Sequence, residues 1–273
     1  MTGSRGFRTV AHMRRAHEHS QRNQPIQNFP TRPMTLLGVW AHPDDESYLS
    51  AVLMSRVVKL GGRVVLATAT WGEAGGDGDR DELAVLRQHE LRTAMAGLCV
   101  RDIRMLGYAD GYCAEADPAE AVQSIMALIE DVRPDVIVTF GPDGVTGHPD
   151  HIAVSRWTTA AAAALGHDRL LYATMTDEFM NEHAGLHAEL GVWMGAQPDA
   201  VAESDLALRL VPTSRERELK RQALRAHASQ TAQLIDMIGS EAFDGWWVDE
   251  FFRQPTSDEW SMAREVMESC LVG

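Results

Sequence analysis

The chain has 273 residues, 45% hydrophobic and 23% charged, the make-up of a water-soluble globular protein long enough to bury a full core in one α/β domain. A net charge of −14 and a pI near 5.2 count against nucleic acid or an anionic membrane as partner, since both demand a basic face, and favour a small or neutral substrate. Cys99, Cys113 and Cys270 are odd in number and widely spaced, which counts against a disulfide framework or a thiolate zinc site and suits free thiols in a reducing cytoplasm.

Met1–Pro33 differs from the rest: Arg5, Arg8, Arg14, Arg15, Arg22 and Arg32 face a single acid, Glu18. It reads as a flexible basic extension with a short helix around Val10–Gln21 and no secretory signal, and Met34 is an alternative natural start. From residue 34 to 273 strands and helices alternate. Strand Thr35–Ala41 precedes a helix over Ser47–Leu60 closed by Gly61-Gly62. Strand Arg63–Thr70 leads through the loop Trp71–Asp79 to an amphipathic helix, Asp81–Gly97. Strand Ile103–Leu106, helix Pro118–Val132 and strand Asp135–Phe140 follow, then a glycine-rich loop, Gly141–Gly147, and helix Ile152–Leu165. Beyond strand Leu170–Ala173 the pattern predicts a helical patch at Thr176–Leu190, strand Leu206–Val211, one long helix Ser214–Ile238 and a terminal helix near Ser257–Cys270. Short continuous apolar strands between helices predict a Rossmann-like, mainly parallel sheet with helices on both faces. No run approaches the roughly 20 apolar residues that span a bilayer.

Two clusters of ionisable residues stand at predicted strand ends, Ala41-His42-Pro43-Asp44-Asp45-Glu46 and Gly147-His148-Pro149-Asp150-His151. Loops at the carboxyl ends of strands in an open parallel sheet share one crevice, so the clusters are expected to be neighbours. Either alone would pass for a solvated turn; two at strand ends point to a metal, which compensates charge that is expensive to bury. His42 and Asp45 from one turn and His151 from the other make the three-ligand set of a catalytic zinc site. Asp44 is placed to take a proton from an activated water, and His148 to protonate a leaving amine or stabilise an oxyanion.

These motifs resemble those of the LmbE/PIG-L-like metal-dependent N-deacetylases. The similarity runs from about Met34 through His151 and returns at His227-Ala228-Ser229-Gln230. The resemblance implies a Rossmann-like fold and zinc-dependent hydrolysis of an N-acyl group, commonly on an amino sugar, with another divalent ion such as Fe2+ as an alternative metal. It implies metal on His42, Asp45 and His151, Asp44 as base and His148 as transition-state partner. Within Arg87-Gln88-His89-Glu90-Leu91 it implies Arg87 as a substrate contact, and within Tyr108-Ala109-Asp110-Gly111 it implies Asp110 as an acid on sugar hydroxyls. At Thr146 the chain departs from the inositol-glycoside members, which carry an oxyanion-binding tyrosine there. The departure counts against the mycothiol-pathway substrate and leaves the deacylase chemistry in place.

Other motifs are weaker. Gly72–Gly78 lacks the lysine and hydroxyl of a phosphate loop and reads as a rim loop or a plain solvated one, with Glu73 and Asp77 as candidates for sugar hydroxyls. His183 and His187 have helical zinc spacing without the glutamate and read as surface histidines; His227 reads as a cap or packing residue. Trp246, Trp247, Phe251 and Phe252 read as core or subunit interface, and a homo-oligomer is compatible with this. The resulting expectation is a cytoplasmic hydrolase that removes an N-acyl group from an amino sugar. The alternatives are an amidase for mycothiol S-conjugates or another bulky amide, a silent glycan-binding protein, and a two-metal phosphoesterase.

Overall fold

The computed structural model describes residues 32–194 and 197–272, so the expectations for the basic extension, including the helix around Val10–Gln21, fall outside the described residues. The first strand, β1 (Thr35–Trp40), is apolar after Thr35, and Leu36, Leu37, Val39 and Trp40 have no exposure, because helices cover both faces of the sheet. Burying each such side chain contributes about 1.5–3 kcal/mol. Gly38 makes room within the strand: a Cβ there would lie 3.0 Å from the Trp40 indole nitrogen.

After β1 come α1 (Asp45–Leu49), α2 (Ala51–Lys59), β2 (Arg63–Thr70), α3 (Arg80–Gly97), β3 (Asp102–Tyr108) and α4 (Pro118–Val132). The second half continues with β4 (Val136–Phe140), α5 (Pro149–Ala164), β5 (Leu170–Thr174), α6 (Asp177–Glu182), α7 (Ala184–Leu190) and β6 (Leu208–Leu210). It ends with α8 (Ser214–Ala226), α9 (Ala228–Ile238), α10 (Ser240–Trp246), β7 (Glu250–Arg253) and α11 (Ser257–Val272).

The strands form one seven-stranded sheet in the order β3-β2-β1-β4-β5-β7-β6. The five from β3 to β5 are parallel, while β7 runs antiparallel to both β5 and β6. The result is a single α/β domain with a mostly parallel, Rossmann-like sheet, as the alternating pattern predicts. The chain travels from β1 outwards to β3, then returns to lay β4 against the other edge of β1, which creates a topological switch point between them. An edge-on contact between Trp40 and Phe140, centroids 4.8 Å apart, packs the two strands at that point.

Three departures from the sequence-based expectation have local causes. The helix expected over Ser47–Leu60 is two helices, broken at Ser50 (φ −146°, ψ 11°), whose hydroxyl and N–H both bond back to the Glu46 carbonyl. The long helix expected over Ser214–Ile238 breaks at His227 (φ −81°, ψ 53°). The aromatic stretch after it forms α10 and β7, whose short span and antiparallel pairing carry no β-α-β spacing. No helix among the described residues is long and apolar enough to cross a membrane.

Candidate metal centre

The loops leaving β1 and β4 at the switch point carry the two ionisable clusters. After β1 the chain turns sharply at Pro43: the Asp45 carboxylate accepts the His42 backbone N–H at 2.7 Å, folding the turn onto itself. After β4, Gly144, Val145 and Gly147 all have positive φ, and the helix α5 begins at Pro149. His148 caps α5 by accepting the Asp150 backbone N–H on Nδ1 at 3.1 Å, and His151 lies in the first turn.

The folded chain brings His42 Nδ1 to 3.1 Å from His151 Nε2. Asp45 Oδ1 lies 3.4 Å from His151 Nε2, and Oδ2 lies 3.7 Å from His42 Nδ1. The His148 ring stacks on His151 at 4.9 Å and meets His42 edge-on at 4.7 Å, so it offers a further nitrogen to the same cluster.

The outer ring nitrogens decide what the inner ones can do. His151 Nδ1 donates to the Gly144 carbonyl at 2.9 Å. His42 Nε2 faces Asp110 Oδ1 at 3.0 Å and Asp150 Oδ2 at 3.2 Å. With protons on those outer nitrogens, two lone pairs confront each other across 3.1 Å, which is repulsive unless a proton or cation sits between them. Tetrahedral bonds of about 2.0–2.1 Å place neighbouring ligand atoms roughly 3.3–3.4 Å apart. Two imidazoles and a carboxylate at 3.1–3.7 Å, each imidazole oriented from behind, fit a divalent cation.

The electrostatics agree. Burial opposes charge on His42, yet Asp110, Asp150 and Asp45 push its ring up to about 10, while burial and the two neighbouring imidazoles hold His151 well below its ordinary value. His42 is thus favoured as the charged ring among its carboxylates, while His151 is kept neutral with a lone pair on Nε2. Burial raises the Asp44 carboxyl to about 6, against the pull of Arg87.

Both expected substrate residues line the cavity above this cluster, but both are already engaged. Arg87 is 3% exposed; it donates to the Gly72 carbonyl at 2.9 Å and the Pro43 carbonyl at 2.6 Å, and its Nη2 is 3.3 Å from Asp44 Oδ2. Asp110, besides facing His42, accepts the Ala74 N–H at 2.7 Å. Glu73, a candidate for sugar hydroxyls, accepts the Asp110 N–H at 2.9 Å, while Asp77 is exposed on the rim loop. Thr146 reaches His151 Nδ1 at 3.3 Å.

Several contributors had no assigned role in the sequence reading. Asp150 orients His42 while accepting the Gly111 and Cys113 N–H groups. Glu90 accepts both the N–H and the hydroxyl of Ser229, joining the two motifs around Arg87 and His227, and Gln230 lines the cavity. Adjacency to motif residues was the only signal for any of them. His187 is buried and accepts the Trp246 indole N–H at 3.0 Å, which corrects the expectation of a surface histidine: helix α7 packs inward beneath the aromatic cluster. Burial, helped by His183, holds its ring at about 4.

The cavity encloses about 390 Å³. Tyr48, Leu49, Val192, Leu234, Trp246 and Trp247 give it an apolar wall facing away from the ionisable floor. Phe251 and Phe252 are core, as the aromatic stretch led us to expect, but Trp246 and Trp247 also face the cavity.

The family model described as GlcNAc-PI de-N-acetylase (PIG-L) matches residues 37–162. A 1D-myo-inositol 2-acetamido-2-deoxy-alpha-D-glucopyranoside deacetylase from Nocardioides sp. is 30% identical over 297 residues, covering 86% of this chain and 97% of that protein. The corresponding deacetylase 2 of Catenulispora acidiphila is 35% identical over 206 residues, 66% of each chain. Among solved structures, N,N'-diacetylchitobiose deacetylase from Pyrococcus horikoshii superposes with a TM-score of 0.59 at 19% identity, over 86% of this chain and 91% of that one, a likeness of fold.

Proposed function

The chain belongs to the PIG-L (GlcNAc-PI de-N-acetylase) family, and from that premise we propose that it uses zinc to remove the N-acetyl group of an amino-sugar glycoside. As a family member it is a metal-dependent hydrolase of the deacetylase type, acting on a C–N bond of a sugar or amide substrate. The observation that carries the finer reading is the trio His42, Asp45 and His151 at the cavity floor with Asp44 beside it. A zinc ion held by that trio supplies a Lewis acid for the amide carbonyl and brings the pKa of water to about 7.

The remaining chemistry falls to the chain. Asp44, its carboxyl near 6, accepts a proton from the attacking water at neutral pH, and Arg87 holds that carboxylate in place. His148 spends Nδ1 on the cap of α5, so its neutral ring carries the proton on Nε2 and donates a hydrogen bond to the carbonyl oxygen, while the proton taken up by Asp44 passes on to the departing amine. One water is consumed, the C–N bond breaks, and acetate and a free amine leave. Asp110 is proposed to reach sugar hydroxyls while steadying His42. A cytoplasmic setting belongs to the same proposal and is supported by the free thiols Cys99 and Cys113.

One observation favours a second reading, an amidase for a bulkier amide: the apolar wall of Tyr48, Leu49 and the two tryptophans is more extensive than an acetyl group needs. Release of primary amine by the zinc-loaded protein, over N-acetylglucosamine glycosides and bulky S-conjugate amides, tests both. Chelator-sensitive release from the glycosides is the expected result. Release from the bulky amides alone would replace the first reading with the second, and silence on both would overturn both.

A further inference from the structure

We propose that Glu46 and His227 form a buried pair that positions Asp44; the inference rests on Asp44 being the proton acceptor. Asp44 has φ 132° and ψ −30°, a backbone conformation that L-residues rarely adopt and that persists only where the surroundings hold it. Its N–H donates to Glu46 Oε2 at 3.0 Å, so that carboxylate is the direct restraint on the strained peptide.

Glu46 has no exposure and is itself held from behind. Its Oε1 accepts the Ser47 hydroxyl at 2.6 Å and lies 2.9 Å from His227 Nε2. His227 is also fully buried and comes from 181 positions further along the chain, at the break between α8 and α9. The break is firmly made: the His227 carbonyl accepts the Gln230 and Thr231 N–H groups, and Glu90 anchors Ser229. An uninterrupted helix would leave residue 227 with helical backbone angles; its ψ of 53° instead marks a joint that delivers the imidazole to Glu46.

Two buried ionisable groups are expensive unless paired, and packing alone would be met by apolar residues. Here the pair connects to one functional group, through the peptide of Asp44. His227 and Glu46 are therefore positioning residues, and neither needs to touch substrate.

Glu46→Gln keeps the shape and removes the charge. In the full-length, zinc-loaded protein, with amine release from an N-acetylglucosamine glycoside as readout, kcat is expected to fall about 10- to 100-fold with KM within about 2-fold and metal content unchanged. The double variant Glu46→Gln/His227→Ala is expected to lose no more than the worse single one, because the two residues act in one line. His227→Gln, which keeps a donor to Glu46, is expected to recover most of the loss seen in His227→Ala. A crystal structure of Glu46→Gln gives a reading independent of substrate: Asp44 should leave its positive φ or shift its carboxylate by about 1 Å. Unchanged Asp44 geometry, or kcat within about 3-fold of wild type, overturns the inference. Asp44→Asn run alongside separates the failures: if it keeps full turnover, the base assignment is what fails.

Discussion

Asp44 carries a conflict that only a functional role explains. A positive φ on a residue with a side chain costs about 1–3 kcal/mol, and burial raises its carboxyl towards neutrality. Arg87, tied to the Pro43 and Gly72 carbonyls, braces the same turn from the other side. Removing the proton acceptor should then spare the metal cluster. Asp44→Asn is expected to lower kcat by about 10²–10⁴ while metal analysis still finds the ion. His151→Ala, which removes an imidazole at 3.1 Å from its partner, is expected to lose both metal and activity. An Asp44→Asn protein with wild-type turnover would end the mechanism as written. At this scale the sequence pointed to residues that the fold gathers around one cavity, but not to how each is held: Arg87 and Asp110 line it, yet their polar atoms are mostly committed to the protein's own loops.

Helices α2 and α8 are joined by charge at both ends of their contact. Glu250 on β7 accepts the Val52 and Leu53 N–H groups at the start of α2 and pairs with buried Lys220 from α8 at 3.0 Å. Arg56 on α2 makes two bonds to Glu216, which also closes a capping box with Thr213 at the start of α8. Desolvation opposes charge on Glu216, but the Arg56 and Thr213 bonds outweigh it and hold its carboxyl at about 2. A depressed folded-state value means that this stabilisation is full above the unfolded value near 4.5 and fades as pH falls towards 2. Glu216→Gln is therefore expected to cost about 1–2 kcal/mol at pH 7 in urea unfolding, with the gap from wild type narrowing below pH 4.5. A gap that widens on acidification would contradict the assignment. Element positions were largely legible: β2 and α4 fall where the alternating pattern places them, and in the structure Asp117 caps α4. The breaks at Ser50 and His227 were not, because each depends on bonds that continue or interrupt a helix from outside its own periodicity.

At the scale of the whole molecule, Asp45, Asp110 and Asp150 from three separate segments converge on His42 and draw it up to about 10, beside a His151 held well below its ordinary range. A divalent ion there relieves the arrangement, so metal should stabilise the native state by mass action. Free metal at 100 times its dissociation constant would add about 2.7 kcal/mol, and chelation is expected to lower Tm while abolishing amine release. Equal melting curves with and without chelator, after metal analysis confirms removal, would count against the cluster as a binding site. Both halves of the chain build the cavity: His42 and Asp45 meet His151 at its floor, and Tyr48 and Leu49 join Val192, Leu234, Trp246 and Trp247 in its apolar wall.

By itself, the sequence determined the alternating α/β pattern, the strand-end placing of two His/Asp clusters and the class of chemistry they imply, because periodicity and motif spacing are local properties. The tertiary structure decided the rest. The switch point between β1 and β4 brings residues 109 positions apart to 3.1 Å, and the orientation of each imidazole is set by Asp110, Asp150 and Gly144. His227 reaches Glu46 only because a helix breaks. These are contacts between segments distant in sequence, and no local pattern of side chains encodes which of them will meet.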